Sequence, residues 1–210
     1  MTEFDLAQTD LLLSTTRSVR RRLDLDRPVP DDVILDCIRL SMQAPTGSNS
    51  QGWRWMVVTD QEKRTRLAEL YREIGSVYLA GYEGDAQTTR TYSSANYLLD
   101  VLDRVPVHVI PCIKGRLAGT QPIIAASFLG SIFPAVWSFQ LALRSRGLGS
   151  CLTTLHLGKE AEAAELLGIP DDVTQVGLLP VAWTKGTDFK PAERPPPERI
   201  TYWNEWKATR

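Results

Sequence analysis

The sequence is short of the side chains that most often carry enzymatic chemistry. Its 210 residues include two histidines and three cysteines. Neither His108 nor His156 has a nucleophile or a metal-binding residue near it in sequence. Cys37, Cys112 and Cys151 are odd in number, far apart and set in apolar surroundings. That argues against a disulfide or zinc framework and predicts buried thiols in a reducing, cytoplasmic compartment. An excess of one charge is also lacking: a formal net charge of −1 gives no general attraction to nucleic acid or to an anionic membrane. A P-loop lysine motif and internal repeats are absent. Gly147-Leu148-Gly149 follows a helical pattern, whereas a dinucleotide fingerprint follows a strand. The acidic start of the chain does not read as a signal peptide.

What is present suits one soluble domain over residues 1–210, since 43% apolar and 23% charged residues lie in the globular range. One stretch, Ile123 to Leu143, is apolar over about the length of a bilayer span. Ser127, Ser131, Pro134, Ser138 and Gln140 interrupt it, so it is expected as a helix buried in a core or a dimer, kinked or restarted at Pro134. No membrane partner follows.

Helical spacing marks Phe4–Thr15, then a helix opening at Asp31-Asp32 with Ile34, Leu35, Ile38 and Met42 inward and Asp36 and Arg39 wet. Gln61–Tyr78 repeats the pattern through Leu67, Leu70, Ile74 and Val77. Shorter helices are expected at Asn96–Leu102 and Ala161–Leu167. Gly147 should end the long helix and Gly168 the last one. Strands are expected at Trp53–Val58, Val105–Ile113, Ser150–Leu157 and Val176–Trp183. The polar stretch Gly81–Ser94 reads as a lid or a plain surface loop. His108, inside an apolar run, reads as a core histidine. The aromatics Tyr202, Trp203 and Trp206 near the C-terminus need cover, which a neighbouring subunit would supply.

Two segments hold more hydrogen-bonding groups than their surroundings require. Arg17-Ser18-Val19-Arg20-Arg21-Arg22 concentrates guanidinium forks suited to phosphate or a carbonyl edge. Ala44-Pro45-Thr46-Gly47-Ser48-Asn49-Ser50-Gln51-Gly52-Trp53 ends a helix at its proline and then exposes backbone N–H groups and side-chain amides. Such a loop is expensive to order and buries little, so it is a candidate for holding a ligand. Few acid–base groups beside several anion-holding segments point to a bound cofactor as the source of the chemistry.

These segments, with Gly147-Leu148-Gly149-Ser150, Leu167-Gly168-Ile169-Pro170 and Arg194-Pro195-Pro196 following in order, resemble the flavin-dependent nitroreductase family, and within it actinobacterial NAD(P)H nitroreductases. The resemblance spans nearly the whole chain. It implies an α+β fold, with a central mixed, mostly antiparallel sheet flanked by helices. It further implies an intertwined homodimer with exchanged C-terminal segments and FMN at the subunit interface. Arg17, Ser18 and Arg20 match the motif on the FMN phosphate, ribityl chain and pyrimidine edge, and Arg194 matches a second phosphate contact. Pro45, Thr46, Gly47, Ser48, Asn49 and Gln51 would come from the partner subunit. Thr153, Thr154 and Leu155 match the backbone segment beside flavin N5, and the long helix through Trp137 would form the dimer core. No catalytic side chain or metal is implied. The expected activity is a ping-pong hydride transfer from NADH or NADPH to a nitroaromatic, quinone or similar small-molecule acceptor. Flavin fragmentation, reductive dehalogenation, deazaflavin-dependent redox and non-catalytic flavin binding remain as alternatives. Two positions depart from the pattern: Thr16 stands where relatives often carry arginine, and Gly52 where proline is common.

Overall fold

A seven-residue apolar run, Val107 to Ile113, is buried along its whole length and forms the middle of the sheet. The computed structural model describes residues 3–80, 86–117 and 121–210. These divide into two units, one of residues 17–187 and one joining residues 3–16 to 188–210. In the larger unit, β2 (Val107–Lys114) pairs antiparallel with β1 (Trp53–Val58) on one side. On its other side it meets β4 (Val173–Gln175) and β5 (Leu179–Trp183), and β5 pairs with β3 (Leu148–Ser150). The result is a five-stranded sheet, antiparallel at every strand pair, with helices that make the fold α+β.

Pro111 sits inside β2, where a missing N–H would normally break a ladder. Its carbonyl accepts from Val176 N at 3.0 Å, so its nitrogen faces the same side. There β2 changes partner, from Val107–Val109 on β5 to Cys112–Lys114 on β4. The proline fills the gap between the two ladders. The expected strand Val176–Trp183 begins only at Leu179 for the same reason: Val176 serves the crossover from β4 to β5.

One face of the sheet is covered by α2 (Asp31–Ser41) and α6 (Phe133–Ser145), whose Ile34, Cys37, Val136, Phe139 and Leu143 join Val107, Val109 and Val181 in the core. The other carries α3 (Gln61–Leu79) and α7 (Glu160–Leu167). His108 points to that side, its Nε2 2.8 Å from the Leu102 carbonyl, so it is a core residue as its apolar setting implied. All three cysteines are buried and free. Gly147, at φ 81°, ends α6 in the left-handed region open to glycine.

The apolar stretch is two helices, α5 (Pro122–Gly130) and α6, broken at Ser131-Ile132. By length and composition Pro122–Ser145 is apolar enough to cross a membrane, but α6 spends its inner face on the core. The restart at Pro134 agrees with one of the two expected forms, but α5 has no fully buried residue: Phe128 packs partly on the core and Ile123 is 75% exposed, so within this chain α5 is not a core helix. Leu35, Met42 and Val77, expected inward, are exposed as well. The Gly81–Ser94 stretch was expected as an excursion, but residues 81–85 lie outside the described residues and α4 (Ala86–Val101) already spans the rest as helix. In the smaller unit, α1 (Leu6–Thr15) is capped by Asp5, whose carboxylate accepts from Gln8 N. The tail holds a T-shaped Tyr202–Trp206 pair and Arg210 over the Trp203 ring.

Arg64 on α3 ties this layer together. Its guanidinium donates to the carbonyls of Thr59, Asp103 and Val105 and to Gln61 Oε1. Arg64→Met would keep the stem packed but leave those carbonyls short of donors, lowering unfolding free energy by about 2 kcal/mol. Urea denaturation would read the loss, and a midpoint equal to wild type would contradict it.

Candidate functional site

The arginine segment is placed by two buried anchors. Val19 and Leu23 sink into the core. Val19 N donates to the Ser150 carbonyl at 2.9 Å, Ser18 bridges Ser150 in parallel, and Leu23 bridges Thr184. Burial of Val19 turns its neighbours outward, so Arg17 and Ser18 are exposed and Arg20 is half-buried. The close approach depends on Gly149, where an added Cβ would stand 2.7 Å from Thr184 Cγ2 and 3.0 Å from Val19 Cβ.

The strand expected over Ser150–Leu157 stops at Ser150. Thr153 instead exchanges both backbone hydrogen bonds with Leu178, at 3.0 and 2.8 Å, and a 3₁₀ turn runs from Leu155 to Lys159. Among the described residues, this leaves the N–H groups of Thr154 and Leu155 without an acceptor. Cys151 is buried, which pushes its thiol up to about 11, and the Arg20 guanidinium beside it opposes the rise. The fold therefore sets Ser18 beside Ser150 and Arg20 beside Cys151, at the start of the segment that runs on to Thr153, Thr154 and Leu155. A fixed cation, a hydroxyl and two open N–H donors form a cradle for an anionic, planar group with acceptors on its edge.

α4 lies against the same arginines. Arg20 Nη1 donates to Ser94 Oγ at 3.3 Å, and Arg21 Nη2 donates to the carbonyl and hydroxyl of Ser93 at 3.1 and 2.9 Å. Arg21 also stacks on Tyr97. A cleft of about 500 Å³ opens there between Arg21, Tyr92, Asn96 and Asp100.

The amide-rich loop is fixed elsewhere, on α5. Gly47 N donates to Ser131 Oγ at 2.8 Å, and Trp53 Nε1 donates to the Ser131 carbonyl at 2.9 Å. Ser48, Asn49 and Gln51 all adopt positive φ, at 52°, 51° and 47°. For residues with a Cβ, each such conformation costs on the order of 1 kcal/mol. Local compensation comes from a Gln51 Nε2 to Asn49 Oδ1 bond, from Ser50 N donating to the Gly47 carbonyl, and from Thr46 accepting from Gln51 N and Asn49 N. The side chains face outward. Strain of this kind in an exposed polar loop makes it a candidate for holding a ligand. A second cleft, of about 540 Å³, separates this loop from Ile123, Ile124 and Phe128.

Pro45 and Thr46 sit at the start of that loop, after α2 has ended at Ser41 and not at Ala44. Arg194 belongs to the smaller unit and donates to its neighbour's carbonyl, Glu193 O, at 3.0 Å. Four contributors escaped sequence reasoning. Ser131 read only as an interruption of an apolar run. Ser93 and Ser94 lay in a stretch with no pattern. Tyr71 was skipped on a helix whose inward positions were counted from aliphatic residues, although it lies four residues after Leu67. Its hydroxyl meets Thr153 Oγ1 at 2.9 Å.

The model of the nitroreductase family matches residues 13–183. Among curated proteins, rat (Rattus norvegicus) iodotyrosine deiodinase 1 is 27% identical over 180 residues, covering 82% of this chain and 60% of that protein. The chain thus spans about 60% of the length of that relative. A crystal structure of oxidized iodotyrosine deiodinase bound to FMN and 3-iodo-L-tyrosine superimposes with a TM-score of 0.72 at 21% identity, over 93% of this chain and 98% of that one. The FMN-dependent nitroreductase NfnB of Mycobacterium smegmatis, solved with NADPH, superimposes with a TM-score of 0.70 at 19% identity, over 96% of this chain and 100% of that one.

Proposed function

The chain belongs to the nitroreductase family, and from that membership we propose that it is an FMN-dependent NAD(P)H oxidoreductase. The observation that carries this reading is that Ser18 bridges Ser150 and Arg20 lies beside Cys151, at the start of the segment on which the Thr154 and Leu155 N–H groups stay open. Bound FMN would supply a two-electron hydride transfer, taking hydride from NADH or NADPH and passing it to a nitroaromatic, quinone or related acceptor. The chain's own residues hold and orient. Arg17 and Ser18, on the exposed side of the segment, take the phosphate and ribityl chain, and Arg194 is assigned to the phosphate on the resemblance alone. Arg20 sits where negative charge on the reduced pyrimidine edge would be stabilised. The donors at Thr154 and Leu155 fix the ring edge and so the geometry of transfer.

The partner's loop completes the site in this reading. Leu35, Leu40, Met42, Ile123, Ile124 and Trp137 are exposed apolar side chains on and just after α2 and on α5 and α6, the kind of surface that a partner covers. A second copy covers it, and Pro45–Gln51 then reach the neighbouring flavin. The whole chain acts as one FMN-binding unit in the cytoplasm. Asn49→Ala is expected to weaken FMN binding about tenfold, the loss of one to two hydrogen bonds, with sedimentation and melting unchanged. An FMN affinity equal to wild type would remove the loop from the site.

The purified protein should be yellow and bleach anaerobically on addition of NADH or NADPH. A colourless protein that also takes up no added FMN would sink the proposal. A second acceptor class is favoured by the deiodinase relatives: an aryl halide reduced with release of halide. Offering the reduced protein a nitroarene and an iodophenol in parallel, and measuring amine or hydroxylamine against free iodide, separates the two.

A further inference from the structure

Tyr71 is one of the largest fully buried side chains, 2% exposed on the inner face of α3. A phenylalanine would fill the same space without a polar atom to satisfy. A buried hydroxyl must find a partner or lose stability, and this one finds Thr153 Oγ1 at 2.9 Å. Burial pushes the phenol up to about 12, against the pull of the Thr153 hydrogen bond, so the group stays a neutral hydroxyl at working pH. Thr153 is already clamped through its backbone, donating to and accepting from Leu178. The phenol adds a third restraint, from a different layer of the fold, one residue before the open N–H groups of Thr154 and Leu155.

We propose that Tyr71 is a positioning residue for the flavin cradle, its hydroxyl locking Thr153 so that the Thr154 and Leu155 N–H groups are aimed before any ligand arrives. The inference rests on the flavin-binding reading above. It does not make Tyr71 a catalytic residue, since the hydroxyl is spent on Thr153. What Tyr71 supplies is preorganisation: donors held in place lose less freedom on binding. It also couples α3 to the cradle, because a shift of the helix moves the phenol and with it the segment.

The test is a double-mutant cycle on the full chain with Tyr71→Phe and Thr153→Val, read by FMN dissociation constant through flavin fluorescence quenching. Amide hydrogen exchange of residues 153–157 in the flavin-free protein is read alongside. Each single variant is expected to weaken FMN five- to tenfold, and the double variant should bind within twofold of the weaker single, because both remove one contact. Exchange at Thr154 and Leu155 should quicken at least fivefold in Tyr71→Phe. A purely structural phenol would lower the melting temperature while leaving FMN affinity and local exchange within twofold of wild type, and that result overturns the proposal. So do losses that multiply in the double variant. A wild-type chain that binds no flavin overturns the proposed function and this role with it. The two failures are told apart because a failure of the Tyr71 role alone leaves flavin binding in the wild type.

Discussion

Arg20→Ala is expected to weaken FMN binding about 100-fold while the chain stays folded. Charge-assisted hydrogen bonds contribute roughly 1.5–3 kcal/mol each, and a guanidinium reaching a flavin edge makes more than one. Arg20 is also fixed from two sides within the chain, by Ser94 Oγ on α4 and by the Cys151 thiol. That prior fixing is why its removal should be felt in affinity and not only in reduction rate: the cation is held at the cradle before the ligand binds. The segment itself should survive, since Val19 and Leu23 and their backbone bridges hold it. Arg20→Lys keeps the charge but loses the planar fork, so it should recover about a tenth of the lost affinity. Fluorescence titration of flavin into the three proteins, with melting curves beside it, measures both parts. An alanine variant that binds FMN within threefold of wild type would move the pyrimidine edge away from Arg20.

The parts of this fold that were legible in sequence are those where a local cause acts alone. Trp53–Val58 is rich in aromatic and β-branched residues and is bounded by turn residues, and its ends were read correctly. Gly147 and Gly168 end helices because their positive φ is a local demand. The Ser150–Leu157 strand failed because Leu178 intercepts Thr153, a contact across the fold that no local pattern encodes. α4 failed for the opposite reason. Its polar run, Thr88 to Asn96, carries little apolar periodicity, and its register is set by Arg20 and Arg21 donating to Ser94 and Ser93.

The candidate site divides in the same way. The arginine motif and the amide loop were visible because each concentrates polar groups where burial does not require them. Their functional strength lies in things sequence hides: the left-handed backbone of Ser48, Asn49 and Gln51, and the anchoring of Gly47 by Ser131. The exposed faces of α5 and of Val77 on α3 were misjudged because apolarity alone does not say whether the cover comes from the same chain.

Acidification should unfold the protein well before its carboxylates are exhausted, and the two histidines set the window. His108 and His156 are both fully buried, and burial lowers each from 6.5 to about 4. A histidine whose folded pKa is depressed is held neutral by the fold. Its contribution is therefore whole above the unfolded value of 6.5 and is lost as pH falls, because the unfolded chain takes up protons that the folded chain refuses. The loss grows from pH 6.5 to about 4 and is then complete. Each residue accounts for roughly 3 kcal/mol over that span, and together they rival the whole stability of an ordinary domain. The surroundings differ. His108 gives Nε2 to the Leu102 carbonyl, whereas among the described residues neither ring nitrogen of His156 meets a partner in full hydrogen-bond geometry, and nearby Gln175 and Glu160 only partly offset its burial. Glu160 is occupied by a bidentate Arg116 pair, which holds its carboxyl below the usual range, and its charge favours a protonated His156 too little to outweigh burial. Urea denaturation at pH 7.0, 6.0 and 5.0 should show unfolding free energy falling with a slope that approaches two protons. His156→Gln should cut that slope by about one proton while leaving His108 in place. A stability that is flat between pH 7 and 5 would show that neither ring is held neutral by burial, and a variant with the wild-type slope would remove His156 from the account.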